Sequence, residues 1–178
     1  ISRQPSLLSN PRMWAEEATV HLRNSFNLNL WEMLIFIPEK IGYFCLNINI
    51  ATIIIRFFPI EYAALISTIF GLVFQSIGHF IIIGSKNKIW GSATRRIITS
   101  TALIIIPVGT GETWLNTTCA HYHLAIMATI ILLDYSTQVH KITNIIYCIM
   151  LGLSALSSPV GCFIIVGYYY AKLFCNFK

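Results

Sequence analysis

The feature that most constrains this chain is an apolar stretch over residues 60–84, which holds a single carboxylate, Glu61, at its edge. A helix of about 20 apolar residues crosses the hydrocarbon core of a bilayer. Charged residues are also scarce, at 11% of the 178 residues against roughly 25% in soluble domains. The stretch therefore predicts a membrane-spanning helix, and the composition excludes an ordinary soluble enzyme or a disordered tail.

Further apolar stretches extend this pattern along the chain. We predict three more membrane helices, over residues 92–111, 117–135 and 143–171. The last of them is expected to kink near Pro159, and residues 41–58 are expected to be either spanning or interfacial. The predicted fold is all-α, an integral membrane helical bundle. Residues 85–178 form its three core transmembrane helices, and residues 41–84 supply one or two extra N-terminal spans.

The N-terminal segment, residues 1–40, is predicted to be amphipathic and peripheral. A helix is expected over residues 9–26, with Asn10 as its cap and Pro11 in its first turn. Its apolar face repeats every fourth residue, at Trp14, Ala18, Leu22 and Phe26. Such a helix fits a membrane surface, a partner subunit or an ordinary packed position equally well.

The few charges are distributed unevenly between the loops. The loop 85–96 carries four cations and no anion, whereas the loop 112–116 carries only Glu112. Lys141 lies in the segment between the last two predicted spans. Because cations concentrate on one side of a membrane, that side should hold the ends of the first and third spans and the starts of the second and fourth. This pattern explains the net charge of +5, and no nucleic acid partner is expected.

Ionisable residues inside apolar spans are costly unless they are paired or solvated, so they are candidates for function. His121 and His123 stand two positions apart on a helix and point about 200° apart. That spacing disfavours a zinc site built from the pair, whereas one neutral imidazole suits an axial haem ligand. His79, near Gln75 and Ser76, is expected to be a buried structural histidine, with a ligand role left open.

Asp134 and Tyr135 end the third predicted span on its cationic side. A tyrosine hydroxyl beside a carboxylate and cations can donate a hydrogen bond to a carbonyl of a membrane-borne quinone. The alternative is an interfacial tyrosine of the aromatic belt that anchors many membrane helices. The residues alone leave both interpretations open.

Three short motifs in the second half of the chain resemble those of a known family. They are WGSATRR at 90–96 before an apolar helix that ends in Pro107, HYH at 121–123 in a helix that ends in DY at 134–135, and GLSALSS at 152–158. In order, spacing and sidedness, these motifs are similar to the small membrane-anchor subunit of succinate dehydrogenase (mitochondrial complex II), a cytochrome b subunit.

The resemblance implies a site for haem b and a site for ubiquinone. In that family a histidine twelve residues before the tyrosine ligates haem b, and His123 has that position here. Tyr135 takes the position of the family's tyrosine at the ubiquinone site, with Asp134 in support. Further residues implied at this site are Trp90 and Arg96 or its neighbour Arg95.

The resemblance also implies partners and a location. It makes the protein a subunit of succinate:ubiquinone oxidoreductase (respiratory complex II) that crosses the mitochondrial inner membrane several times. The subunit would tether the flavoprotein and iron–sulfur subunits, and a second membrane-anchor subunit would supply the other haem ligand. Membrane lipids are the remaining partners. The chain would not be catalytic alone, because succinate oxidation belongs to the whole assembly.

The chain departs from the family in two places. Its last helix ends in GYYYAKLF at 167–174 instead of Asp-Val-Gly, and residues 1–84 have no counterpart, which implies an enlarged and divergent anchor. One alternative is a structural accessory subunit of a respiratory complex without a cofactor. Another is a membrane lipid phosphotransferase, which SIGHF at 76–80 favours and the absence of an orienting aspartate after His123 opposes.

Overall fold

Helices make up the regular structure of the chain. A computed structural model describes residues 9–14, 16–39, 42–105, 116–134 and 141–174, and no strand occurs in those ranges. The predicted all-α class is therefore confirmed. Three residues used in the sequence predictions lie outside the described residues: Pro107, Glu112 and Tyr135.

Eight α-helices occur in the described ranges. They are α1 (Arg23–Asn27), α2 (Leu30–Leu34), α3 (Leu46–Ile55), α4 (Ala63–Gly84), α5 (Ala93–Ile105), α6 (Ala120–Asp134), α7 (Lys141–Ser157) and α8 (Pro159–Phe174). A π-helix over Glu17–Leu22 leads directly into α1. Short 3-10 helices over Ile60–Tyr62 and Lys88–Trp90 precede α4 and α5.

Among the described residues, one helical segment is long and apolar enough to cross a membrane. This segment, Ile60–Gly84, comprises a 3-10 turn and α4 and has 25 residues. The predicted helix over this stretch is therefore confirmed. The helices α3, α6, α7 and most of α8 are apolar but shorter, at 10–17 residues. The predicted span 92–111 corresponds to α5, and its part beyond Ile105 lies outside the described residues.

The described residues form two compact units. One contains residues 9–75 and 116–121, and the other contains residues 76–105, 122–134 and 141–174. The division therefore runs through α4, whereas the sequence places boundaries after residues 40 and 84. Compositional changes locate apolar stretches, but a unit is defined by packing between segments that are distant in sequence.

In the first unit, the π-helix lies antiparallel to the first turns of α4. Leu22 packs with Ile55 of α3 and Ala63 of α4 in one buried cluster. Glu17, at the other end of the π-helix, accepts a hydrogen bond from the Ser67 hydroxyl at 3.0 Å. Apolar burial and this polar contact together align the N-terminal segment on α4.

The N-terminal helix begins later than the sequence predicts. Residues 11–14 are not helical, so Asn10 and Pro11 do not start a helix, and that prediction is wrong. Instead, the Glu17 carboxylate accepts a hydrogen bond from the Trp14 N–H at 3.0 Å. This contact ties the non-helical chain at Trp14 to the first residue of the π-helix.

The same helix buries a polar face. Glu17, His21 and Ser25 are each 0% exposed, whereas Phe26 of the apolar face is 51% exposed. Leu22 of the apolar face is buried, so the buried side of the helix is rotated by about one residue from its apolar repeat. The rotation is possible because the buried polar side chains find hydrogen-bond partners on other segments, which offsets the cost of removing them from water.

In the second unit, α4 and α5 run in opposite directions. Arg96 in the first turn of α5 donates a hydrogen bond to the carbonyl of Ser85, which follows α4. One turn further along α5, the Ser100 hydroxyl lies 3.1 Å from Nδ1 of His79 in α4. These two contacts join the start of α5 to the end of α4.

The helices α6 and α7 are antiparallel in the same way. Near the start of α7, the Tyr147 hydroxyl donates to Asp134 at the end of α6, and Ser154 donates to the carbonyl of Leu124 at 2.9 Å. Gly78 brings α4 close to α6, because a Cβ there would stand 3.0 Å from Ile130 Cδ1. The ends of α4 and α6 and the starts of α5 and α7 thus meet in this unit.

The predicted last span, 143–171, is divided into α7 and α8 at Ser158. Pro159 has no N–H to continue the helical ladder, and the Ser158 hydroxyl instead accepts a hydrogen bond from the Gly161 N–H at 3.1 Å. The bend is sharp, because a Cβ on Gly161 would collide with the Ser154 hydroxyl and stand 3.0 Å from its carbonyl oxygen. The kink expected near Pro159 is therefore a break between two helices.

We expect Gly161→Ala to destabilise the folded protein by about 1–3 kcal/mol, because the added methyl group must displace backbone as well as a side chain. Gly167→Ala in the same helix is the matched control, since a Cβ there meets nothing within 4 Å. The measurement is thermal unfolding of the purified protein in detergent. Equal midpoints for the two variants would contradict the packing described for Gly161.

Candidate functional site

A buried carboxylate at the end of α6 organises the meeting point of four helices. Asp134 is 8% exposed. Its Oδ1 accepts hydrogen bonds from the Ser85 hydroxyl and, at 2.8 Å, from Trp90 Nε1, and its Oδ2 accepts one from the Tyr147 hydroxyl at 2.5 Å. The Asp134 carbonyl accepts a further bond from Asn87 Nδ2 at 2.8 Å. We call these five residues the Asp134 cluster.

The loop between α4 and α5 is shaped so that its donors reach Asp134. Asn87 caps the short 3-10 helix, because its Oδ1 accepts a hydrogen bond from the Ile89 N–H at 3.0 Å. Gly91 ends that helix with a φ of +68°, a conformation that glycine adopts without steric cost. The chain can then turn into α5 immediately after Trp90, whose indole N–H points to the carboxylate.

Arg96 borders the Asp134 cluster from the first turn of α5. One of its Nη atoms donates to the Ser85 carbonyl, whereas its Nε is buried and has no hydrogen-bond partner in the part of the chain that the structure describes. An unpaired buried donor costs about 1–3 kcal/mol. A carbonyl or anionic oxygen of a bound molecule would remove that cost.

Asp134 itself is arranged to orient its neighbours. Its two oxygens accept three side-chain hydrogen bonds, which is the environment that a desolvated carboxylate requires. The Trp90 indole and the Tyr147 hydroxyl are therefore held in fixed directions. We therefore expect a ligand to bind beside the cluster, where Arg96 offers an N–H, and not to the Asp134 oxygens.

The structure brings together three residues that the sequence assigned to the ubiquinone site. Trp90 contacts Asp134 directly, and Arg96 contacts the cluster through Ser85. Tyr135 follows Asp134 in the chain and lies outside the described residues. The sequence therefore identified part of a real polar cluster, while its ligand stays a prediction.

His123, the predicted haem ligand, is half-buried on α6. Its neighbour His121 donates through Nδ1 to the Thr118 carbonyl at 2.5 Å, and its ring lies edge-on to Tyr43 at 6.4 Å. His121 thus has structural contacts of its own. His121 and His123 are buried to a similar degree, so the assignment of a haem ligand to His123 stays a prediction.

His79 bridges two helices in the second unit. Its Nδ1 lies 3.1 Å from the Ser100 hydroxyl, so the partner comes from α5 and not from the nearby Gln75 or Ser76. In the described ranges, no three or more histidine, cysteine, aspartate or glutamate side chains are grouped closely enough to hold a metal ion.

Sequence reasoning missed three members of the Asp134 cluster: Ser85, Asn87 and Tyr147. Serine and asparagine are common in any loop, and a tyrosine in an apolar helix resembles a packing residue. One signal was available. A carboxylate at the end of a predicted span needs donors, and the first two turns of the next antiparallel helix are where such donors can lie. Tyr147 occupies that position in α7.

A second polar cluster, in the first unit, was also missed. Glu17 is 0% exposed, and its carboxylate accepts hydrogen bonds from donors on three separate segments. These donors are the Trp14 N–H, the Ser67 hydroxyl, the Thr117 N–H and hydroxyl, and the Thr118 N–H. The two threonine N–H groups precede α6, where the helix dipole also favours a negative charge.

His21 extends this polar network one turn along the helix. Its Nδ1 lies 3.1 Å from Asn49 Oδ1, and Asn49 Nδ2 donates to the carbonyls of Leu34 and Phe36. The other ring nitrogen, Nε2, is buried without a hydrogen-bond partner among the described residues. Burial lowers the pKa of His21, and it outweighs the opposing effects of the Asn49 hydrogen bond and the Glu17 charge.

Comparison with models of known protein families, with curated proteins and with solved structures finds no match to this chain. The site is therefore interpreted from its own geometry.

We expect acidification to destabilise the first unit through His21. Because its pKa is lowered in the folded state, the unfolded chain binds the proton first. Its contribution to stability is therefore complete above the ordinary pKa of 6.5 and declines as the pH falls below that value. The measurement is the thermal unfolding midpoint in detergent at a series of pH values from neutral to mildly acidic.

His21→Asn is the informative variant, because its amide can donate to Asn49 but does not titrate in this range. We expect a smaller loss of stability on acidification for His21→Asn than for the unmodified chain. Parallel decreases in the two proteins would mean that other groups cause the pH dependence.

Proposed function

We propose that the chain is a membrane-anchor subunit of succinate:ubiquinone oxidoreductase in the mitochondrial inner membrane. In this proposal α4 and the shorter apolar helices form a bundle that crosses the bilayer several times. The bundle tethers the flavoprotein and iron–sulfur subunits, contributes one ligand to haem b, and forms part of the ubiquinone site. A second anchor subunit supplies the other haem ligand.

The observation that supports the proposal most directly is the composition of the Asp134 cluster. Residues that the family resemblance assigns to one site, Trp90, Asp134 and Arg96, are separated by up to 44 residues but lie together in the folded chain. In this proposal the cations of the loop 85–96 and Lys141 mark the side of the membrane on which these helix ends lie. An electron-transfer site for a quinone needs this position, next to soluble partners.

The residues around the cluster have distinct roles in this proposal. The Arg96 Nε–H and the Tyr135 hydroxyl donate hydrogen bonds to quinone carbonyl oxygens. Asp134 fixes the Trp90 indole, which borders the proposed ubiquinone site. Reduction of a quinone consumes two protons, and a hydroxyl beside a carboxylate can deliver them from the aqueous side.

For haem b, the described residues fit the role of a single axial ligand. His123 is a half-buried imidazole on the apolar helix α6, and the family resemblance, not the absence of other contacts, selects it as the ligand. When bound, the haem supplies an electron-transfer centre. The part of this chain is to present the His123 ring from α6 and to leave the opposite ligand to the partner.

One observation favours a second candidate, a structural accessory subunit of a respiratory complex without a cofactor. Each Asp134 oxygen is already hydrogen-bonded within the chain, so the cluster can serve to join helix ends alone. The lipid phosphotransferase alternative gains no support, because His79 of the SIGHF stretch contacts the Ser100 hydroxyl and not a carboxylate.

Purification of the tagged full-length protein from its native membrane tests the proposed assembly. A flavoprotein and an iron–sulfur protein should copurify, and the complex should reduce ubiquinone with succinate.

Tyr135→Phe should lower the quinone-dependent rate roughly tenfold, the effect of losing one hydrogen bond in the transition state, and should spare succinate oxidation by a soluble dye. Tyr62→Phe, an exposed tyrosine, is the control. The absence of both partners would contradict the proposal, and equal losses with quinone and dye would reject the role of Tyr135.

The haem assignment is tested separately by the reduced-minus-oxidised spectrum of the complex. We expect a b-type spectrum that His123→Ala abolishes or strongly weakens, because the iron loses an axial ligand. His121→Ala, on the next position but one of the same helix, should keep the spectrum. A spectrum unchanged in His123→Ala would reject this ligand.

A further inference from the structure

A cavity of about 500 Å³ opens on the first unit. One wall is the helix formed by the π-helix and α1, which contributes Arg23 and Asn27, and the facing wall is the extended segment after α2, which contributes Phe36, Ile37 and Glu39. Its volume lies in the range of sites that hold small ligands, about 300–1,000 Å³. The cavity plays no part in the Asp134 cluster or in the contacts of Glu17.

Two opposite charges line this cavity. Arg23 and Glu39 are both exposed, and within the described part of the chain neither forms an ion pair or a side-chain hydrogen bond. The Arg23 guanidinium presents several N–H donors in a planar fork that matches a phosphate group. The Glu39 carboxylate accepts hydrogen bonds from an ammonium group. The cavity is therefore suited to a molecule that carries both charges.

The position of the cavity relates it to the start of α4. Because Glu17 bonds to Ser67 and Leu22 packs on Ala63, the helix continues past Leu22 towards and beyond the N-terminal end of α4. Arg56, just before that end, donates to the Leu28 carbonyl at 2.9 Å. If the Ile60–Gly84 segment spans a bilayer, the part of the cavity lined by Arg23 and Asn27 lies near the level where the segment leaves the hydrocarbon core, and the part lined by Thr19 and Val20 lies alongside the first turn of α4.

Large apolar side chains are exposed on the same unit, and two of them, Phe57 and Phe58, directly precede the candidate span in the sequence. Trp31 is 77% exposed, Phe57 is 69% exposed and Phe58 is 52% exposed. Aromatic side chains are favoured at the boundary between lipid tails and headgroups. Ile37, which lines the cavity, is also 53% exposed. This surface is continuous in sequence with the start of the candidate span, and it matches the interfacial layer of a membrane.

We propose that the cavity binds the headgroup of a zwitterionic phospholipid with a primary ammonium group, phosphatidylethanolamine. Arg23 binds the phosphate, while Glu39 and the Asn27 carboxamide oxygen accept hydrogen bonds from the ammonium. Phe36 and Ile37 cover the glycerol region. The inference rests on one part of the proposed function, residence in a membrane, and it is independent of haem, quinone and the succinate dehydrogenase partners.

The charges also select among lipids. Phosphatidylcholine carries the same net charge but has no N–H to donate to Glu39 or Asn27. Phosphatidylglycerol keeps the phosphate but lacks the cation, so that it leaves the Glu39 carboxylate unpaired beside a second anion. The site should therefore prefer the ethanolamine lipid to both.

Native mass spectrometry of the delipidated full-length protein in detergent tests the proposal. The probes are dioleoyl phosphatidylethanolamine, phosphatidylcholine and phosphatidylglycerol, added singly. The unmodified protein should bind the ethanolamine lipid about tenfold more tightly than the other two, the effect of one charge-assisted hydrogen bond. Equal binding of all three lipids would overturn the proposal.

Variants of Arg23 and Glu39 test which part of the lipid headgroup each of these two charges binds. Arg23→Gln should weaken the binding of all three lipids, whereas Glu39→Gln should remove the preference for the ethanolamine lipid and improve relative binding of phosphatidylglycerol. Lys88→Gln and Glu61→Gln, which change exposed charges outside the cavity, should behave like the unmodified protein. Loss of the preference in these controls, or its retention in Glu39→Gln, would overturn the assignment.

Asn27→Leu reduces the polar lining of the cavity without a change in charge, and it should weaken the ethanolamine lipid selectively while the unfolding midpoint is kept. Retained preference in this variant would exclude Asn27 as an acceptor.

The experiments can reject the succinate dehydrogenase proposal and the lipid-binding proposal independently. Absence of the partner subunits with selective lipid binding would reject the succinate dehydrogenase assignment alone, and copurifying partners without lipid preference would reject only the cavity.

Discussion

Two buried carboxylates, Glu17 and Asp134, determine which segments of the chain pack together, because burying a carboxylate without hydrogen-bond donors costs much free energy. An ionisable group removed from water must be surrounded by donors, and in this chain, with only 11% charged residues, those donors are hydroxyls, an indole and backbone N–H groups. Glu17 obtains its donors from the chain before it, from α4 and from the segment before α6. Asp134 obtains its donors from the loop after α4 and from α7. Each carboxylate thereby joins segments that are distant in sequence, and each does so within its own compact unit.

This requirement also shapes what the Asp134 cluster can do. The Asp134 oxygens accept hydrogen bonds from Trp90, Ser85 and Tyr147, so this side chain holds its neighbours in place. A ligand is therefore expected to bind beside the cluster and not to Asp134. Arg96, with a buried Nε–H that no described residue satisfies, is the clearest place for an external oxygen. A rigid polar frame with one unsatisfied donor is suited to binding a carbonyl compound in a defined orientation. The same arrangement would also suit a purely structural subunit. Copurifying subunits and the haem spectrum therefore distinguish the two functions.

The apolar stretches predicted a substantial part of the fold. The long helix over residues 60–84 and the all-α class followed from composition and the lengths of the apolar runs. The helix at residues 9–26 shows where such reasoning fails. Its apolar repeat is real, yet Glu17, His21 and Ser25 form the buried face, because hydrogen-bond partners from distant segments outweigh local hydrophobicity. No local pattern reveals that Ser67 and Thr117 will supply those partners.

The sequence by itself determined that the chain is helical, that one stretch is long enough to cross a bilayer, and that Asp134 needs donors at the end of its helix. These properties depend on composition and on the fixed rise of a helix, which a linear sequence contains in full. Only the tertiary structure decided which donors surround Asp134 and Glu17, that Gly161 permits a sharp break after Ser158, and that Arg23 faces Glu39 across a cavity. Those outcomes depend on contacts between residues far apart in the chain, and their geometry exists only once the helices have packed.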